Sequence, residues 1–195
     1  MRFWSSFILS VILACALAAG GCRQHIKTKS GVREYISNRS NRLVGEKEFP
    51  DGTIVKLHYL PSALLGIDNK SSDRYYFLLS FSREGRELLS QLDGDSYSEM
   101  VTTLSFKMLS LIYVIPDRGK AISIDDCLFQ QTFGMTGANE LLVVFNPSSL
   151  RNVSRFQMKI KEFGLMLGDM NFEFDQRDIN ELNDILDNNL IISDQ

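Results

Sequence analysis

From residue 43 onward, apolar side chains recur in short runs interrupted by turn residues, and within the runs they alternate with polar ones. In residues 53–60, Val55, Leu57 and Tyr59 fall on one side, with Ile54, Lys56 and His58 on the other. That period of two gives a strand one buried face. In residues 155–163, Phe156, Met158 and Ile160 alternate with Gln157, Lys159 and Lys161 in the same way. Residues 74–82 and 140–145 are nearly continuous apolar runs of strand length, as is the shorter run 111–115, and a further run, 170–174, follows Gly168-Asp169. Pro50-Asp51-Gly52 and Pro116-Asp117-Arg118-Gly119 lie between such runs and carry the residue types that hairpin turns require.

Helical spacing is rarer. Leu88, Leu89 and Leu92 suggest a short helix over residues 84–92. Ile179, Leu182, Ile185 and Leu186 share one face of a helix that Asp178 can cap. Residues 100–108 fit both periods. Ser96 and Glu99 match a capping box ahead of a Met100, Leu104, Leu111 stripe, yet Leu104-Ser105-Phe106-Lys107-Met108 alternates as a strand does. Thr102 and Thr103 favour the strand, which is the expectation here. Eight or nine short strands joined by hairpin-like turns predict a mainly β domain over residues 43–195. The expected form is an antiparallel β-sandwich or open barrel with a short C-terminal helix.

The first 21 residues form a different pattern. Arg2 precedes an apolar run, residues 7–18, which ends in small residues and then Cys22, with Arg23 following at once. The run is shorter than the ~20 residues of a transmembrane helix and has the order of parts of a signal peptide. Ala19-Gly20-Gly21-Cys22 resembles the lipobox of bacterial lipoproteins, with Ala19 where leucine is usual, and the resemblance covers only this leader. It implies diacylglyceryl transfer to the Cys22 thiol, cleavage before Cys22, and fatty acyl chains such as palmitate on the new terminus. Two or more chains hold a protein on a membrane stably. The expected address is therefore the cell envelope, at the outer membrane in a Gram-negative cell. Cleavage after Ala16-Leu17-Ala18, giving a soluble secreted protein, is the rival reading. Residues 22–42 are polar, with scattered Ile26, Val32, Tyr35 and Ile36, and read as a lipidated tether with one helical turn near Arg33–Ser37. Twenty extended residues would reach about 65 Å.

Composition adds limits. The 195 residues are 44% hydrophobic and 23% charged, with a formal net charge of -3, which fits one globular domain and lacks the basic excess of a nucleic-acid binder. Seven basic residues lie between Cys22 and Lys47 against Glu34 and Glu46, a stretch suited to anionic head groups beside a lipid anchor. Eight acids and one base lie from Asp169 to the end. With Cys22 acylated and Cys15 removed, Cys127 is the one thiol left in the mature chain. Trp4 leaves with the leader, which weakens a sugar-binding reading based on flat aromatic platforms.

Candidate chemistry is sparse. His58 lies in a strand and His25 in the tether, too few to build a multi-histidine metal site. Cys127 follows Asp125-Asp126 and so lacks the cationic surroundings that would lower a thiol pKa and make it reactive; it reads as a small core residue. Asp93, Asp95 and Glu99, and the crowded Asp68, Asn69, Ser71 and Asp73, offer oxygens of the kind Ca²⁺ takes, but in no EF-hand order. The sequence has no GxSxG, HExxH, phosphate-loop, GxGxxG or CxxC pattern. No catalytic residue, cofactor or metal ligand is assigned. The expected function is a lipid-anchored, non-catalytic envelope domain that binds a protein partner. A carrier or sensor of a small ligand or ion is the alternative, and a hydrolase is less favoured.

If Cys22 is the acylation point, Cys22→Ser abolishes incorporation of labelled palmitate and leaves the leader uncleaved. Normal labelling in that variant would contradict the assignment.

Overall fold

The computed structural model describes residues 26, 28–67 and 73–188. In chain order the elements are α1 (Lys29–Ser37), β1 (Val44–Glu48), β2 (Thr53–Tyr59), β3 (Tyr75–Arg83), β4 (Arg86–Glu87), α2 (Gly94–Phe106), β5 (Ile112–Pro116), β6 (Ile122–Ser123), β7 (Asp126–Gln130), β8 (Asn139–Phe145), β9 (Arg155–Ile160), β10 (Met170–Asp175) and α3 (Gln176–Asn188). The described strands form two sheets. One has six strands in the order β1-β2-β3-β8-β7, with β4 also paired to β3, and the other has the order β10-β9-β5-β6. Every pairing is antiparallel. Two open sheets face each other as a sandwich, not as a closed barrel.

The alternation read from the sequence decides which face turns inward. Val55, Leu57 and Tyr59 of β2, Phe77, Leu79 and Phe81 of β3, and Leu141, Val143 and Phe145 of β8 are buried. Phe156, Met158 and Ile160 of β9 and Met170, Phe172 and Phe174 of β10 meet them from the second sheet. Phe77 stands at the centre of this contact. Its ring lies 4.8 Å from Phe174, 5.9 Å from Phe145 and 6.2 Å from Phe156. Edge-to-face and offset contacts of this kind add to the burial of the rings themselves. β1 packs tightly against β10 at Gly45, where a Cβ would sit 2.6 Å from Phe172 Cδ1. Any larger residue there would push β1 off β10.

Both expected hairpins are present. β1 and β2 join through Pro50-Asp51-Gly52, where Gly52 takes φ +78° and the Asp51 carboxylate accepts the Thr53 amide at 3.0 Å. β5 turns into β6 through residues 117–121. The terminal helix also forms, but it starts at Gln176. Asp175, not Asp178, provides the cap by accepting the Arg177 amide at 2.9 Å.

Three expectations need correction. Residues 94–106 are helical, where residues 100–108 read as a strand. Asp93 caps the helix through the Ser96 amide at 2.9 Å, so the Ser96–Glu99 box is not the cap. Met100, Thr103 and Leu104 are buried together at helical spacing, while Phe106, inward-facing in the strand reading, is 82% exposed. Residues 84–92 are not a helix. Glu84 and Gly85 turn the chain with positive φ into the two-residue β4, and a single 3-10 turn, Leu89–Gln91, follows.

The third correction concerns the tether, which is largely folded. Thr28 caps α1 by accepting the Gly31 amide at 3.1 Å, and Ile26, Val32 and Ile36 are buried. Arg42 grips Asp178 at the start of α3, with Nη2 to Oδ1 at 3.1 Å and Nε to Oδ2 at 3.0 Å. Val32, Tyr35 and Ile36 make one helical stripe, and the body of the domain provides the surface that stripe covers. From Cys22 to the first described residue, Ile26, the chain can span at most about 14 Å. Among the described residues no helix is long and apolar enough to cross a membrane.

Candidate functional site

The residues with catalytic potential are placed apart and occupied structurally. His58 faces outward from β2, and burial followed by the nearby Lys56 charge lowers its pKa, leaving the imidazole neutral at pH 7. Cys127 is half-buried on β7, and burial, then Asp126, pushes its thiol up to about 12. Strands β3 and β8 separate β2 from β7, so at ~4.8 Å per strand the two side chains are about 14 Å apart and form no Cys–His pair. Asp93 is consumed as a helix cap, and Asp95 and Glu99 are exposed on α2. Asp73 pairs with Arg74 at 3.3 Å, while Asp68, Asn69 and Ser71 lie outside the described residues. Among the described residues no three His, Cys, Asp or Glu side chains converge as a metal would need.

Two carboxylates that the sequence reading passed over do converge with many partners. Glu87, on β4, is buried. Its Oε1 accepts the hydroxyls of Thr132 and Thr136, each at 2.7 Å, and the Thr136 amide at 2.9 Å. Its Oε2 accepts the Gly134 amide at 2.8 Å and the Asn139 side-chain amide at 3.1 Å. Burial alone would raise its pKa, but the hydrogen bonds from Thr132, Thr136 and Gly134 outweigh it and bring the value to about 2. Such a carboxylate is an internal anion bound by its own loop.

Glu162 repeats the arrangement. Its Oε1 accepts the amides of Phe163, Gly164, Leu165 and Met166 at 3.1, 2.7, 2.8 and 2.9 Å, and its Oε2 accepts the Gly168 amide. Here too burial acts upward, and the backbone amides outweigh it and lower the pKa. Residues 131–138 and 162–168 are therefore both wound around an ionised carboxylate.

What these loops present outward is apolar. Phe133 is 71% exposed, Met135 80% and Met166 96%. Both loops sit at the same end of the sandwich. Asn139, which closes the first loop, pairs with Phe81, and Phe163 of the second packs its ring 6.0 Å from that of Phe81. The first half of α2 lies between them. Tyr97 accepts a hydrogen bond from Gln131 on one side, and one turn on, Met100 reaches Gly164 on the other. Phe106, at the last position of α2, is exposed as well. The outward face of α2 also carries Asp95 and Glu99, neither with an ion-pair partner among the described residues. Leu43, where the amino-terminal segment joins the sheet, is at the opposite end and accepts the Tyr59 amide at 2.9 Å.

The signal for this rim was present in the sequence. Thr132-Phe133-Gly134-Met135 and Phe163-Gly164-Leu165-Met166 each set an aromatic and a methionine around glycine, without strand or helix period. Comparison with known proteins gives no further guide, since no family model, no curated protein and no solved structure matches this chain.

The Glu87 hub has a testable pH signature. Its stabilising contribution is full above about pH 4.5, where the carboxylate is ionised in both folded and unfolded chains, and is lost as the pH falls through about 2. Glu87→Gln keeps the shape but leaves donors unmatched, and should cost about 2–4 kcal/mol in urea unfolding at pH 7. The difference from the native protein should shrink on acidification below pH 4.5. Equal stability at pH 7 would contradict the hub.

Proposed function

We propose that this chain is an envelope lipoprotein, acylated on Cys22, whose β-domain is a non-catalytic adaptor that docks a protein partner through the rim of Phe133, Met135, Met166 and Phe106. The observation that carries this reading is the pair of internally bound carboxylates, Glu87 and Glu162, each holding a loop that presents large apolar side chains to water. Exposed apolar groups gain roughly 25 cal/mol per Å² when a partner covers them. Loops that are already ordered lose less entropy on binding than loops that must first be fixed. Burying the ionised Glu87 to order a surface loop is hard to account for by the domain's own stability, because well-packed apolar residues serve that purpose at lower cost.

The charges around the rim select the kind of partner. Asp95 and Glu99 on α2 have no ion-pair partner among the described residues, and residues 131–139 carry no charge. An anionic bilayer would be repelled here, whereas a protein surface with apolar hollows and a Lys or Arg margin is complementary. The rim lies at the end of the sandwich remote from Leu43.

The test uses the full chain in its own membranes, with a photo-crosslinking amino acid in place of Met135 or of Met166. Both positions should give an adduct with the same protein. A control at Ser82, on the outer face of β3, should give none, and Asp95→Lys with Glu99→Lys should reduce the adduct several-fold. Adducts to lipid, or protein adducts indifferent to the charge reversal, would contradict the reading.

A further inference from the structure

A second surface is built on different residues. Helix α1 stands over the outer face of the six-stranded sheet and leaves a groove of about 800 Å³ between them, within the size range of small-molecule sites. Ile36 forms its wall, and Val44, Leu60, Leu64 and Leu78 line it with the neutral His58. Strand register extends this apolar floor beyond the groove. Val44 pairs with His58, His58 with Leu78, Leu78 with Leu142 and Leu142 with Leu128, all on the outward face. Leu128, at the end of the row, is 54% exposed. Four strand intervals make the row about 19 Å long. It is a straight apolar track across the sheet, open at the β7 edge and leading into the groove under α1.

The charges in the groove are nearly balanced. Arg39 and Lys56 both pair with Glu46 at 3.2 Å. Arg33 and Glu48 have no ion-pair partner among the described residues, and Glu48 sits two strand positions farther along β1 than Glu46. Three cations against two carboxylates leave one positive charge, and the His58 ring and the Ser37 and Ser80 hydroxyls add neutral hydrogen-bonding groups. One excess cation suits a monoanion. A dianionic phosphate head would leave surplus negative charge beside Glu46 and Glu48.

We propose that this groove binds a single-chain amphiphile with a monoanionic head, a long-chain fatty acid. Its carboxylate meets Arg33 beneath α1, and its tail lies along the whole row, from Val44 and His58 through Leu78 and Leu142 to Leu128. The track matches the extended length of a hexadecanoate tail, and the single uncompensated guanidinium accounts for the carboxylate. The site shares no residue with the loop rim, so each stands or falls alone.

The experiment uses membranes carrying the full chain and a hexadecanoate bearing a photoreactive diazirine near its tail end. After irradiation, peptide mass spectrometry should place the adducts on β3, β8 and β7. Unlabelled hexadecanoate should compete, and hexadecyltrimethylammonium, the same chain with a cationic head, should not. Arg33→Ala, an exposed helix position whose loss leaves the core intact, should lower labelling about tenfold. Leu78→Asn should lower it as well, with protease resistance confirming that this variant is folded. The proposal is overturned if adducts scatter over the surface or fail to form. Equal competition by the cationic amphiphile, or undiminished labelling in Arg33→Ala, overturns it too.

Discussion

The contact of the two sheets through Phe77, Phe145, Phe156 and Phe174 is the constraint on which the rest of the molecule depends. The chain changes sheets three times, through α2 between β4 and β5, directly between β6 and β7, and through residues 146–154 between β8 and β9. None of the strands joined by these crossings pairs with its predecessor, so local hairpins alone cannot hold the fold. The inward phenylalanines tie the separately paired segments together, and burial of each contributes about 1.5–3 kcal/mol. With the layers fixed, the Phe81 end becomes a platform on which β4, α2 and the two carboxylate-centred loops are assembled.

The carboxylates show how a small β-sandwich can keep apolar side chains in water without letting them collapse inward. Phe133 and Met166 have positive φ, at 54° and 58°, a conformation uncommon for residues with a Cβ. Five donors on Glu87 and five on Glu162 hold the backbone there. Electrostatic attraction between amide dipoles and an ionised carboxylate does the work that a bound anion does in a phosphate loop. At the other edge of the sheet the opposite device appears. The outward amide of Cys127 is capped at 2.8 Å by the Asp126 carboxylate, which blunts β7 against pairing with another strand.

Much of this architecture was legible in the sequence, and the parts that were not have identifiable causes. The alternating runs of β2 and β9, the Pro50-Asp51-Gly52 turn and the Ile179-Leu182-Leu186 stripe depend on local spacing, and all appear as expected. Residues 100–108 satisfy two periods at once. The choice of helix rests on Tyr97 meeting Gln131 and Met100 meeting Gly164, contacts no local pattern contains. Glu87 takes partners 45 to 52 positions away, so nothing near it distinguishes it from the surface glutamates. The segment around α1 looked like a tether because its apolar residues are few, and they suffice only because Arg42 and Asp178 dock it against α3.

The central claim is that the Phe81 end is covered by another protein in the envelope. It is tested most directly by methionine oxidation, which needs no substitution. Met135 and Met166 are exposed, while Met100, Met108, Met158 and Met170 are buried and provide internal references. Peroxide treatment of the purified full chain should oxidise Met135 and Met166 rapidly and the four others slowly. In intact envelopes the same two methionines should be protected several-fold, with the references unchanged. Oxidation of Met135 and Met166 as fast in the envelope as in the purified protein would mean that nothing covers the rim.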